Sequence, residues 1–371
     1  TNVGPDTQDL FRIQVNPDNE LQYRWNGEWR DMTVVEETLR FGDGAAPVTI
    51  RVRETHLGPI INDNAIDDET GAVLGFNNED PMALRWTALE GSTLFESVYR
   101  INRAGDWESF RDALRLWDAP SQNFVYADVE GNIGYQMPGR IPIRAEGESG
   151  LVPSTCAEDA CAWQGFVEFD DLPRIFNPER GYIVTANQAV VPLEYYTQLA
   201  DNVGADANYL FGQEWDVGYR GQRISELIEA SDQHTLESMA AIQGDNKLIF
   251  AEDMAPTLAA LTLDDADITA MRDWMLEWDY QLHMDSGRAA LFMLFLERLT
   301  DNLFNDQLAE IDDSAGGAAW ELWAISQLVA EPDNPWWDDV ATVGVTETPD
   351  DIFIRSLTEA VAEARTQLGS D

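Results

Sequence analysis

Gly105-Asp-Trp-Glu-Ser-Phe-Arg-Asp-Ala-Leu-Arg-Leu-Trp117, followed beyond Pro120 by Phe124-Val-Tyr-Ala-Asp-Val-Glu-Gly-Asn-Ile-Gly-Tyr135, is where the period of the chain changes. In the first piece Trp107, Phe110, Leu114 and Trp117 recur at helical spacing, with Asp106 in the position of an N-cap. In the second, Phe124–Asp128 and Ile133–Tyr135 read as two strands joined by the turn residues Glu130-Gly-Asn132. A helix set directly against a hairpin places helices and sheet in the same compact region. The expected class is therefore α+β.

Working outward toward the start, strands dominate. Phe11–Val15 alternates, Asn16-Pro-Asp-Asn19 turns the chain, and Leu21–Trp25 alternates again before Asn26-Gly27. Met32–Phe41 and Val48–Ile61 read as longer extended stretches. Toward the end, residues 136–180 are broken by Pro138, Gly139, Pro142, Gly147, Gly150 and Pro153, and Gly181–Thr185 reads as a short strand. Beyond Arg220 the pattern is helical. Leu291, Leu294, Phe295 and Leu299 share one face of a helix over Gly287–Phe304, and Phe353, Leu357, Val361, Ala364 and Leu368 share one face of the last, with Gly369 as its stop. The expected division is a β-rich part over residues 1–218 and a helical part over residues 219–371.

The chain has 371 residues and a formal charge of −45. Such a surface repels phosphate backbones and anionic lipid, which argues against nucleic acid and membrane as partners. Lys247 is the single lysine. An acidic, arginine-only surface suits a protein held soluble in high salt, so a halophilic or marine setting is expected, with an acidic secreted enzyme as the alternative. Cys156 and Cys161 bracket Ala-Glu-Asp-Ala and are expected to form a disulfide, which implies a periplasmic or secreted location. Two thiols without neighbouring ligands make half a zinc site at most.

Chemistry-bearing patterns are sparse. His56, His234 and His283 stand far apart, and no Gly-x-Ser-x-Gly, Walker or His-Glu-x-x-His motif occurs. Paired acids such as Asp170-Asp171, Asp312-Asp313 and Asp350-Asp351 read as solvated surface or helix-start residues rather than as an acid/base couple. In Thr1-Asn-Val-Gly-Pro-Asp-Thr-Gln-Asp-Leu10, Asp6 and Asp9 flank a tight turn. Two readings stay open there: a partial oxygen cage for calcium, or a turn that satisfies its own amides.

Seven segments resemble the penicillin acylase family of N-terminal-nucleophile amidohydrolases. They are Thr1–Phe11, Ala83-Leu-Arg-Trp86, Tyr126–Tyr135, Trp163-Gln-Gly-Phe166, Pro173-Arg-Ile-Phe-Asn-Pro178, Gly181-Tyr-Ile-Val-Thr-Ala-Asn-Gln188 and Tyr219-Arg-Gly-Gln-Arg-Ile224. Their order fits over residues 1 to about 230, and the helical remainder matches more loosely. The resemblance implies part of a four-layer αββα core followed by a mainly helical region, acting on a small-molecule acyl-amide. It implies catalytic roles for the Asn2 backbone N–H and the Asn187 carboxamide as oxyanion donors, with Arg220 in support. It also implies an acyl pocket at Gly4, Val98 and Gln122, and a structural calcium held by Asp6, the Gln8 carbonyl and Asp9, with Asp206 as a further carboxylate. No organic cofactor is implied.

The family's nucleophile is a serine at a self-cleaved chain start, whose own α-amino group acts as base. A Ser-Asn-Asn-Trp start occurs nowhere in the sequence. The chain is therefore expected to be an internal segment of the large subunit, to need the small subunit and the missing flanks of the same precursor, and to be inactive alone. Thr1 as nucleophile is a weaker option, since it precedes the oxyanion position by one residue. The rival expectations are an acylase of the same fold acting on acyl-homoserine lactones or cephalosporin-type side chains, and a non-catalytic, calcium-binding acidic protein.

Overall fold

The structure, a computed structural model, describes residues 6–42, 44–64, 75–203, 215–311, 314–315 and 319–369. Two compact units divide the chain, Thr1–Trp215 and Asp216–Asp371. The first carries all the named strands and the second is helical. Together they are an α+β protein.

In the first unit β1 (Gln8–Arg12) runs antiparallel to β7 (Met82–Trp86), with Asp9 opposite Arg85 and Phe11 opposite Ala83. β2 (Val15–Asn16), β3 (Asn19–Trp25) and β4 (Glu28–Asp31) form a meander, and β5 (Thr33–Leu39) pairs with β6 (Val48–Glu54). The Asn26-Gly27 turn between β3 and β4 has positive φ at both residues, the geometry that this dipeptide tolerates best. Phe11, Ile13, Tyr23, Trp25, Met32, Leu57, Ile60 and Ala83 bury one face of these strands.

The second long stretch is shorter than the sequence suggests. β6 stops at Glu54 because the Thr55 hydroxyl accepts the N–H groups of Leu57 and Gly58, turning the chain. Ile60 then returns, donating to the Arg53 carbonyl and bridging to Ala83.

α1 (Leu94–Ile101) and α2 (Trp107–Leu114) follow, then the hairpin β8 (Phe124–Ala127) and β9 (Ile133–Gln136). Asp106 caps α2 through a capping box with Ser109. The hairpin turn is tied by Asp128, which accepts from the Asn132 backbone, the Asn132 amide and the Tyr126 hydroxyl. β10 (Pro142–Ile143) pairs with β11 (Gly165–Phe166), while β12 (Arg174–Phe176) adds to β9. Trp107 lies over this sheet, stacked on Phe176 and against Tyr126, and Gly134 leaves room for it, since a Cβ there would sit 2.5 Å from the ring.

Gly181–Thr185 is not a strand. Side chains serve its carbonyls instead: Arg180 donates to Tyr182, and Gln188 donates to Val184. α3 (Leu193–Val203) is the last named element of the unit.

The second unit consists of α4 (Tyr219–Glu229), α5 (Leu236–Gly244), α6 (Ile249–Ala260), α7 (Ala266–Leu276), α8 (Gly287–Leu308), α9 (Ala319–Leu328) and α10 (Pro349–Leu368). Its core is the facing pair α8 and α10: Leu291, Phe292, Phe295, Leu299 and Leu303 meet Ile352, Phe353, Leu357, Ala360 and Val361. Phe295 and Phe353 stack at 6.1 Å between ring centroids. Among the described residues no helix is long and apolar enough to cross a membrane.

Candidate functional site

Asn187 sits at the end of the extended segment that begins at Gly181, half-buried, with φ of 65°. Only Asn, Asp and Gly enter this left-handed region at low cost, so the position favours the residue found there. The neighbouring side chain fixes the turn. Gln188 accepts the Ala186 N–H at 2.6 Å through Oε1 and donates to the Val184 carbonyl through Nε2. A side chain thus spans residues 184–188 where sequence reasoning expected a strand end. The backbone on the N-terminal side of Asn187 is thus held by a side chain, without a ladder.

Arg220 stands in the first turn of α4, its Nε and Nη2 both on Asp216 Oδ2 at 3.1 and 3.0 Å. Asp216 Oδ1 meanwhile accepts the Gly218 N–H. Asn187 belongs to the first unit and Arg220 to the second.

Val98 lies on α1 with Phe95 and Tyr99, three apolar residues at i, i+3 and i+4 that are 39%, 87% and 58% exposed. This helix is anchored on its other side. Ser97, fully buried, donates to the Ala113 carbonyl of α2, and Thr93 binds the Leu116 carbonyl and the Asp118 carboxylate. Gln122 is half-buried in the loop after α2, between Ser121, which donates to the Pro138 carbonyl, and Asn123, which accepts the Tyr135 hydroxyl. An open apolar helix face on a pinned base can accept an apolar group without reorganising.

Asp6, Gln8 and Asp9 do converge, and they converge on Arg144. Its Nη2 lies 2.7 Å from Asp6 Oδ2, 2.9 Å from Asp9 Oδ1 and 3.4 Å from the Gln8 carbonyl, while Nε lies 3.0 Å from both Asp9 oxygens. Trp163 donates its indole N–H to Asp9 Oδ2, and Arg85 stacks over the same indole at 4.4 Å. Three of the seven family-like segments, those at residues 1–11, 83–86 and 163–166, therefore meet at one buried cluster. Burial pushes the Asp6 carboxyl above its ordinary value, against the pull of Arg144 and the Gln8 N–H, and burial likewise lowers the Arg85 guanidinium. Among the described residues no group of three or more His, Cys, Asp or Glu is placed to hold a metal.

Arg144, Trp163 and Arg85 were not among the sequence candidates for this cluster. Arg144 is far from the opening loop in sequence and stands in a stretch whose only signal is its breakers, so nothing local marks it. The expected Asn2, Gly4 and Asp206, with Thr1, lie outside the described residues. The expected disulfide joins Cys156 and Cys161, and no described cysteine is free. His56 accepts or donates to the Tyr23 hydroxyl at 2.7 Å and packs edge-on to Trp25; His234 bonds the Ile228 carbonyl.

The sequence profile described as penicillin amidase matches residues 1–371. An acyl-homoserine lactone acylase, QuiP, of Pseudomonas fluorescens is 31% identical over the whole chain, which covers 46% of that protein. A penicillin acylase 2 proenzyme of a Pseudomonas species is 26% identical over 81% of the chain and 36% of its own length. The chain spans a little under half the length of the first of these curated relatives. A solved structure, a thermostable penicillin G acylase from Alcaligenes faecalis, superposes with a TM-score of 0.70 at 21% identity, covering all of this chain and 67% of that one.

Proposed function

The chain belongs to the penicillin amidase family, and from that premise we propose that it forms part of an amidohydrolase cleaving a linear amide between an acyl group and an amine. The observation that carries this reading is Asn187, held in a left-handed turn by the Gln188 side chain at the position where the family resemblance puts an oxyanion donor.

In this reading a nucleophilic serine hydroxyl, from sequence preceding Thr1, attacks the amide carbonyl carbon while its proton passes to the α-amino group of the same serine. The carbonyl electron pair becomes an oxyanion that accepts from the Asn187 carboxamide and the Asn2 backbone N–H. Its collapse expels the amine, which takes up the proton, and water then releases the acid from the acyl-enzyme. Arg220, held by Asp216, keeps the supporting role that the family resemblance implies for it. The small subunit and the remaining large-subunit sequence complete it.

Val98 and the open face of α1 receive the acyl group, with Gly4 and Gln122 beside it. Relatives named acyl-homoserine lactone acylase align over the full chain, and those named penicillin acylase over less of it, which supports N-acyl-homoserine lactones as the first substrate class to test and penicillins as the second. The disulfide supports a periplasmic or secreted location.

The test uses the protein made from its complete reading frame, assayed on N-acyl-homoserine lactones of graded chain length and on chromogenic acyl-amides. Turnover with at least one acyl-amide is expected. No turnover on any member of either panel overturns the reading. Residues 1–371 alone are expected to turn over nothing, and activity there that disappears in Thr1→Ala would reassign the nucleophile.

A further inference from the structure

The opening loop was expected to direct three oxygens at calcium, and the structure sets a guanidinium where those oxygens meet. Calcium takes about six to eight oxygen ligands at roughly 2.3–2.6 Å. Here Asp6 Oδ2, Asp9 Oδ1 and the Gln8 carbonyl surround Arg144 Nη2 at 2.7, 2.9 and 3.4 Å. The remaining carboxylate oxygens have donors as well: Asp6 Oδ1 accepts the Gln8 N–H at 3.1 Å, and Asp9 Oδ2 accepts Arg144 Nε and the Trp163 indole. The side chains of Arg144 and Asp9 are 5% and 8% exposed.

Gly150 gives a second, independent sign that the space is filled. Its φ is 76°, and a Cβ built there would lie 2.6 Å from Arg144 Nε and 2.6 Å from Asp9 Oδ1. Backbone closes over the pair at a distance that no other residue type permits. Among the described residues every carboxylate oxygen of this cluster already accepts a hydrogen bond, and a second cation beside a buried guanidinium would be repelled. The residues do not fit calcium.

We propose that Arg144 is the built-in cation of the opening loop, standing where a divalent ion would otherwise join residues 6–9 to the segment that carries residues 142–150. The planar fork does what a sphere of charge would do and adds direction: Nε and Nη2 grip Asp9 side-on while Nη2 reaches Asp6. The loop therefore holds its shape without divalent metal. This goes beyond the amidohydrolase reading and stands whether or not that reading does.

Thermal unfolding of the protein made from its complete reading frame, in excess EGTA, in millimolar CaCl2 and in MgCl2 at matched ionic strength, tests the proposal. The midpoints are expected to agree within about 1 °C. Arg144→Gln, which keeps most of the side chain's bulk and one amide donor but removes the charge, is expected to lower the midpoint by several degrees. Two results overturn the inference. One is a midpoint that falls in EGTA and is restored by calcium but not magnesium, with that response lost in Asp9→Asn. The other is an Arg144→Gln midpoint equal to that of the unaltered protein. The EGTA comparison decides the matter even where Arg144→Gln fails to fold.

Discussion

At the scale of single residues, function and stability separate cleanly. Asn187→Ala removes one donor from the proposed oxyanion site, and losses of this kind cost about 10²- to 10³-fold in kcat. Ala costs about 1–2 kcal/mol at a φ of 65°, so this variant should also lose some midpoint, whereas Asn187→Gly, which accepts that φ, should lose the rate and leave the midpoint nearly unchanged. A variant with kcat within about threefold of the unaltered protein would remove Asn187 from the chemistry. Gly58→Ala should do the reverse. Its φ is 146°, and a Cβ would lie 2.0 Å from the Leu84 carbonyl oxygen, so β7 must shift. A loss of about 2 kcal/mol or more in urea unfolding is expected, and a neutral result would show that the turn relaxes. His56 adds a pH term. Burial, then Arg30 and Arg85, lower its pKa below the ordinary 6.5, against a weaker pull from Asp159. Above that value the ring is neutral folded and unfolded, and the term vanishes. As pH falls below 6.5 the unfolded chain takes a proton that the fold resists, so stability declines until the folded pKa is passed. Urea midpoints at about pH 7.5 and 5.5 should diverge less for His56→Gln than for the unaltered protein. None of these three environments is visible along the sequence. Asn187 was found through family-like neighbours, whereas Gly58, His56 and Arg144 acquire their roles from residues brought close only by folding.

At the scale of elements, what could be read from the sequence depended on whether an element carries its own reason to form. α2 and α10 were legible because each carries an apolar period with a local boundary signal, the Asp106 cap for α2 and the Gly369 stop, with φ of 100°, for α10. The capping boxes with Ser109 and between Thr348 and Asp351 came only with the structure. The β8–β9 hairpin was legible because its turn is local, with Asp128 tying Asn132. Gly181–Thr185 has the composition of a strand, yet a strand requires a partner, and composition does not record one. β6 looked longer than it is because its alternation was carried past Glu54, although the turn from Thr55 to Gly58, with Pro59 after it, lies inside the stretch. The α8–α10 contact permits a graded test. Leu357 is fully buried between Phe-rich faces, and Leu357→Ala should cost about 2–5 kcal/mol. Thr348→Ala removes only the cap of α10 and should cost about 1 kcal/mol. Urea unfolding followed by circular dichroism ranks the two. Equal losses would mean that α10 is held by its terminus rather than by its packed face.

At the scale of the whole molecule, charge is the property that the sequence stated outright and the fold must accommodate. The chain carries 23 basic and 68 acidic residues, a formal charge of −45. The arginines are drawn inward or laid across carboxylates, as with Arg53 on Asp63, Arg144 on Asp6 and Asp9, and Arg223 on Asp245, and Lys247 itself pairs with Glu252. Cations used in this way leave acidic groups in large excess on the surface, where like charges repel in the folded state more than in the expanded one. Salt acts oppositely on the two populations. The buried Arg53–Asp63 pair, closed to solvent on both sides, is barely screened, while exposed carboxylates separated by more than a Debye length stop repelling. KCl should therefore raise the unfolding midpoint steeply from low ionic strength. The rise should flatten toward about 1 M, where the screening length has fallen to roughly 3 Å. The shape of the curve matters more than its direction. A gain that keeps growing linearly through several molar would point to salt excluded from the surface, a solvation effect available to any protein. A midpoint that falls with KCl would mean that the surface ion pairs outweigh the repulsion, and the halophilic reading of the −45 charge would then be wrong.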